Sequence, residues 1–139
     1  MHHDAQTFLT DYAKALDSQD IKQLTDFCLL PTVVMNDQQK ILFNNREQLT
    51  TAYGSLIEQM VLAKVAKNTP KLSQAIRLSD TLCFIKMRWL FMDKSDNLLF
   101  SCPASYTLKR EGDNGFKIIV AVVDPDENVM LSLFSPTKG

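Results

Sequence analysis

The sequence predicts an α+β fold in which N-terminal helices pack on a curved, mostly antiparallel sheet. Three observations predict it. Apolar residues recur at helical spacing through much of the first half, extended segments fill the second half, and clusters of turn formers separate those segments. A sheet that follows helices in the chain needs one face covered, and the helices are the available cover.

From Asp4, an expected N-cap, the residues Phe8, Leu9, Tyr12, Ala13 and Leu16 form the buried stripe of a first helix. Asp17-Ser18-Gln19-Asp20 interrupts it. Asp20 with Gln23 then resembles a capping box for a short second helix carrying Ile21, Leu24, Phe27 and Cys28. Pro31 ends that helix, because proline biases the preceding residue away from helical backbone, and Thr32-Val33-Val34-Met35 continues as a strand. Asn36 to Gln39 turns the chain into Ile41-Leu42-Phe43, giving a small hairpin. Asn45 with Gln48 caps a third helix, whose Leu49, Ala52, Tyr53, Leu56, Ile57 and Met60 show the clearest periodicity in the chain. Gly54 inside it costs about 1 kcal/mol against alanine, which points to close packing at that turn.

Extended segments follow over about 64–78, with a break near Pro70, and over 81–93, 98–110 and 115–124. Asp93-Lys94-Ser95-Asp96-Asn97 and Glu111-Gly112-Asp113-Asn114-Gly115 connect the last three. A turn centred on Ser95 pairs Phe91 with Leu99, Trp89 with Ser101, Met87 with Pro103, Ile85 with Ser105 and Cys83 with Thr107, all on one face. Phe84, Lys86, Arg88, Leu90, Phe100, Cys102, Ala104 and Tyr106 then occupy the other, with Cys83 and Cys102 pointing apart.

A chain of 139 residues, 45% hydrophobic and 22% charged, suits one domain over residues 1–139 and excludes disordered and fibrous classes. Its longest apolar runs, Leu29 to Met35 and Ile118 to Val123, fall far short of the roughly 20 residues that cross a bilayer. The start Met1-His2-His3-Asp4 lacks the basic and apolar stretches of a signal peptide, so a cytoplasmic location is expected. Cys28, Cys83 and Cys102 are odd in number and widely spaced, which reads as free, buried thiols. Net charge is −1 and the lysines and arginines are scattered along the chain, so neither nucleic acid nor a membrane surface is an expected partner.

The opening Phe8-Leu9-Thr10-Asp11-Tyr12-Ala13-Lys14-Ala15-Leu16, followed by Asp20, Leu24, Phe27 and Pro31-Thr32-Val33-Val34, resembles the NTF2-like (SnoaL-like) superfamily. So does Ser105-Tyr106-Thr107-Leu108-Lys109-Arg110, turn, Gly115-Phe116-Lys117-Ile118. With the element order, the resemblance covers nearly the whole chain. It implies a cone of helices on a curved sheet with an apolar pocket between them. The superfamily includes isomerases, cyclases, epoxide hydrolases, dehydratases and noncatalytic binding modules, so the fold fixes no reaction. The resemblance also implies that the face with Trp89, Ser101, Ser105 and Thr107 lines the pocket. The opposite apolar face needs a second cover, and a homodimer through that outer sheet face is expected.

The two histidines, His2 and His3, sit at the terminus, which argues against histidine catalysis, a Ser-His-Asp or Cys-His device and a histidine metal site; no cofactor or metal is expected. Asp11, Asp17, Asp20 and Asp26 fall on helix surfaces or caps, and Asp93, Asp96 and Asp113 in turns. Asp124, before Pro125, either reaches the rim or opens a turn. Ketosteroid isomerase, a member of the superfamily, supplies a template. Its oxyanion-donor tyrosine matches Tyr12, its base position holds Met35, and its acid position, in Pro103-Ala104-Ser105, holds Ser105. The donor is kept and the base lost, so proton abstraction by that scheme is not supported. Tyr12 also reads more simply as a core tyrosine with a satisfied hydroxyl. Arg88 faces outward with Lys86, and no acidic residue opposes it to complete an epoxide-hydrolase arrangement.

The expected ligand-binding residues are therefore Tyr12, Met35, Tyr53, Met87, Trp89, Ser101 and Ser105, apolar walls with hydroxyl anchors suited to a neutral, apolar small molecule. Two alternatives stand beside this reading. One is an isomerase- or cyclase-like enzyme using Tyr12 and a carboxylate, and the other a noncatalytic protein-association module. The run Val129-Met130-Leu131-Ser132-Leu133-Phe134 is too apolar to be left in water and is expected to return to the sheet, cover the pocket mouth or meet a partner.

Overall fold

The structure, a computed structural model, describes residues 2–123. Asp124 and the run Val129 to Phe134 lie outside the described residues.

Helix α1 (His2–Asp17) buries Ala5, Phe8, Leu9, Tyr12, Ala13 and Leu16, the stripe that its spacing dictates. Asp4 is not its cap but lies in the first turn, where its carboxylate accepts from Arg110 Nη2 at 2.9 Å. Helix α2 (Ile21–Asp26) is capped as expected: Asp20 accepts from the Gln23 backbone N–H at 3.1 Å. Strand β1 (Cys28–Met35) begins before Pro31, so the proline does not separate helix from strand. It sits in the stretch between Cys28 and Val33 where the pairing register shifts, an irregularity that accommodates a residue without an N–H. Strand β2 (Lys40–Phe43) completes the hairpin, in which Asn36 Oδ1 accepts from the N–H groups of Gln38 and Gln39.

Helix α3 (Arg46–Leu62) starts at Asn45, which accepts from Gln48 N–H at 2.9 Å, while Gln48 Oε1 accepts from Asn44 N–H at 2.7 Å. A Cβ built on Gly54 would meet Ile21 Cδ1 at 3.9 Å, an ordinary van der Waals contact, so close packing does not explain this glycine. Asp26 accepts from Arg46, tying α2 to the start of α3.

Strand β3 (Lys67–Arg77) carries Pro70 within it and is not broken there. As a sheet edge it can lack a donor on its outer side, and its irregularity falls instead between Leu72 and Gln74. Strands β4 (Leu82–Met92), β5 (Leu98–Arg110) and β6 (Phe116–Val123) complete a sheet in the order β2-β1-β6-β5-β4-β3, antiparallel except for the parallel pair β1 and β6. All three α-helices lie among the described residues, and the buried side chains of α1 and α3 meet those of the inner sheet face in one core.

The β4–β5 register differs from the sequence expectation by one residue, and the cause is local. Met92 pairs with Leu98, as a turn centred on Ser95 requires, but Phe91 pairs with Phe100. Leu99 is therefore an extra residue, a β-bulge, and beyond it every β5 side chain changes face. Trp89 stands opposite Cys102, Met87 opposite Ala104 and Ile85 opposite Tyr106, all buried. Ser101, Pro103, Ser105 and Thr107 go to the outer face with Lys86 and Arg88. Cys83 and Cys102 thus share the inner face and remain free thiols. Cys102 lies opposite Trp89, six positions along β4 from Cys83, or about 20 Å, which no disulfide spans.

Charge is segregated by element. Lys40, Lys67, Lys71, Arg77, Lys86, Arg88, Lys109, Arg110 and Lys117 lie in the six described strands, which contain no Asp or Glu. Cations that look scattered along the chain are gathered by the sheet. No helix among the described residues is long and apolar enough to cross a membrane.

Candidate functional site

A cavity of about 150 Å³ lies between the helices and the inner sheet face. The helical stripes supply Tyr12 and Leu16 from α1 and Ala52, Tyr53, Leu56 and Met60 from α3. The sheet supplies Val34 and Met35 from β1, Trp89 and Phe91 from β4, and Tyr106 from β5. Asn36 and Gln39 bring the β1–β2 hairpin to the same space, and the wall is predominantly apolar.

Its described polar groups are uncharged, and those of Tyr12, Tyr53, Cys28, Trp89 and Tyr106 pair with one another. The Tyr12 and Tyr53 hydroxyls are 2.7 Å apart, and Tyr53 Oη lies 3.4 Å from Cys28 Sγ. The Trp89 indole N–H donates to Tyr106 Oη at 2.8 Å. Tyr12 is the aromatic hub, with ring centroids at 5.5 Å from Phe27, 6.0 Å from Trp89, 6.3 Å from Tyr106 and 6.5 Å from Tyr53.

Burial, which disfavours the charged form, raises the Tyr12 phenol well above its ordinary range, and the neighbouring Tyr106 and Cys28 add to the effect. Burial likewise raises Tyr53, reinforced by Tyr12 and Cys28, and it raises Tyr106 as well. The Cys28 thiol is pushed up by burial too, so it is a neutral group near pH 7 rather than an activated nucleophile. No Asp, Glu, His, Lys or Arg is among the described residues of the wall. The arrangement can solvate a neutral oxygen or an apolar ring; it offers no paired charge to an ion.

Of the residues expected from sequence, Tyr12, Met35, Tyr53 and Trp89 meet at the cavity. Met87 is buried on the same sheet face, outside the lining. Ser101 and Ser105 are on the opposite face because of the Leu99 bulge. Ser101 Oγ accepts from Arg88 Nη1 at 2.9 Å, and Ser105 sits between Lys86 and Val122. Sequence reasoning missed Tyr106, Cys28 and the hairpin amides. A signal for Tyr106 was present: Cys102, Ala104, Tyr106 and Leu108 are the more apolar alternate set of β5, and period-two burial favours sending that set inward.

The same architecture occurs in solved proteins. An NTF-2-like protein of unknown function from Shewanella oneidensis MR-1 superposes with a TM-score of 0.71 at 10% identity, over 88% of this chain and 98% of that one. A ketosteroid isomerase-like protein from Erwinia carotovora atroseptica SCRI1043 gives 0.64 at 12% identity, over 88% and 93%. A protein from Catenulispora acidiphila in complex with S-DNPA gives 0.65 at 16% identity, over 90% and 92%. At these identities the likeness is one of fold. No curated protein matches the sequence. The family described as NTF2-like protein (DUF6841) matches residues 3–126, and with the cone of helices on sheet now described, the chain belongs to that NTF2-like family.

Proposed function

We propose that this chain binds a neutral, largely apolar small molecule, about one ring in size, in the cavity walled by Tyr12, Tyr53, Trp89 and Tyr106. One observation carries the reading: the wall is apolar and its described polar groups are phenols, an indole, a thiol, the hydroxyls of Thr32 and Ser55 and two amides, with no charge among them. A buried ion would lose its hydration without a counter-charge, whereas a neutral ring gains about 25 cal/mol for each Å² of apolar surface removed from water. The size follows from the volume, because an apolar cavity of about 150 Å³ accommodates a benzene-sized molecule. Tyr12 and Tyr53 share a hydrogen bond and form the natural anchor for one ligand oxygen. A relative of this fold in complex with S-DNPA is a precedent for a bound ligand. Met35, at the position of the isomerase base, carries no proton acceptor, so the proposal is of binding. The homodimer through the outer face is not part of it: Cys102, Ala104 and Tyr106, which would have made that face apolar, point inward.

Trp89 is the single tryptophan of the chain and stands in the wall, so its emission reports on occupancy. Phenol, toluene and cyclohexanone should each be titrated against benzoate and benzylammonium. Saturable change is expected with the neutral compounds only, together with a raised melting midpoint; ligand at a hundred times its Kd adds about 2.7 kcal/mol. Ala52→Leu fills the cavity from α3 and should abolish the response while the fold persists. Binding that survives Ala52→Leu unchanged, or no saturable response to any neutral ring, sinks the proposal.

A further inference from the structure

The hydroxyls of the cavity wall differ in where their protons go. Tyr12 can donate to Tyr53 Oη at 2.7 Å, Tyr53 to Cys28 Sγ at 3.4 Å, and the thiol to the Leu24 carbonyl at 3.9 Å, so this run ends on an acceptor. Thr32 donates to the Leu29 carbonyl at 2.8 Å, and Ser55 is exposed to water. Tyr106 is arranged differently. An indole N–H only donates, so the 2.8 Å bond from Trp89 Nε1 uses Tyr106 Oη as acceptor and leaves the O–H of Tyr106 free. Among the described residues that hydroxyl has no other partner, and Tyr106 is only 4% exposed.

Buried donors are nearly always paired, because an unpaired one has given up its bond to water for nothing. Tyr106 borders the cavity, so a molecule bound there is the partner within reach of its proton. The chemistry of that partner is narrow. A carboxylate would accept the bond, but its charge would meet no cation in the described wall. A ligand hydroxyl or amine would accept it and add a further proton, which a predominantly apolar wall must then accept in turn. A carbonyl oxygen supplies lone pairs and no proton.

We propose that Tyr106 Oη donates a hydrogen bond to the carbonyl oxygen of the bound molecule, which makes the ligand a neutral cyclic ketone. The inference rests on the cavity being a binding site and names the group that selects its ligand. Trp89 is then a positioning residue: its N–H fixes the Tyr106 hydroxyl and, by drawing on the oxygen lone pair, strengthens the bond that hydroxyl donates.

The test compares two variants of the full chain, Trp89→Phe and Trp89→Phe with Tyr106→Phe. Removing the indole from both prevents its N–H from taking over the carbonyl, so the pair differs only in the Tyr106 hydroxyl. Cyclohexanone and toluene are titrated into each by calorimetry. The second variant should bind cyclohexanone about fivefold more weakly than the first, with toluene changed by less than about twofold. An equal loss for both ligands, or none for cyclohexanone, overturns the proposal. Toluene bound without any effect on the ketone leaves the cavity reading standing and removes this one, whereas failure of both ligands to bind the unmodified chain removes both. Because the substitutions also open space in the core and lower stability, an independent measurement is made on the unmodified chain. Infrared difference spectra of cyclohexanone isotope-labelled at the carbonyl should place the bound stretch below its frequency in cyclohexane. A stretch that stays at the cyclohexane frequency overturns the proposal whatever the variants do.

Discussion

Tyr12 joins the core to the site: its ring packs among Phe8, Phe27, Trp89 and Tyr106, and its hydroxyl meets that of Tyr53. Removing either hydroxyl leaves its partner short of one bond. Tyr12→Phe and Tyr53→Phe should each cost about 1 kcal/mol in urea unfolding, and the double variant should cost less than the two together. Burial also makes the phenols pH-sensitive in one direction. Their folded pKa values are raised, so above the ordinary phenol range, about 10, the folded state holds protons that the unfolded state has released. The stabilisation is complete below that pH and is lost as pH rises through it. Tyr12, Tyr53 and Tyr106 are the only tyrosines in the chain, and all line the cavity. Phenolate absorbance should therefore appear in one cooperative step that coincides with loss of far-ultraviolet circular dichroism. An early, independent rise in absorbance would contradict the burial of these hydroxyls.

At the scale of elements, the helices and the caps Asp20 and Asn45 were readable because side chain, spacing and cap all lie within a few residues of one another, whereas Asp4, expected as a cap, lies inside the first turn of α1. Tyr12 and Tyr53 could be placed for the same reason, whereas Met35, on β1, was placed by the resemblance to the isomerase base position. The β5 face could not be read from its turn. Asp93 to Asn97 correctly sets Met92 opposite Leu98, but a bulge one residue later leaves no mark in turn chemistry and reverses every side chain beyond it. Deleting Leu99 should force the register that the turn alone implies, sending Ser101, Ser105 and Thr107 into the core. The expected outcome is loss of the cooperative thermal transition, measured by calorimetry. Gly54 tests the opposite case, a residue whose surroundings admit more than it supplies. Gly54→Ala should raise stability by up to about 1 kcal/mol, since the new methyl meets only an ordinary contact with Ile21. An unchanged or lowered denaturation midpoint would assign this glycine a role beyond helix packing.

The molecule as a whole was legible as a fold and illegible as a surface. Helices before strands, separated by turn formers, identify the architecture, but adjacency across six strands in the order β2-β1-β6-β5-β4-β3 cannot be seen in a linear chain. The gathered cations depend on that order. They also have an electrical consequence. Strands whose only charged residues are positive, beside helices and turns that hold the described acids together with Lys14, Lys22, Arg46, Lys64 and Lys94, divide charge of both signs over the surface in a way that the net charge of −1 does not convey. Such a particle does not behave on a resin as its isoelectric point of 6.1 implies. Near neutral pH and low salt it should be retarded by cation and anion exchangers alike, each gripping a different side, and Lys71→Glu with Lys86→Glu should release it from the cation exchanger alone.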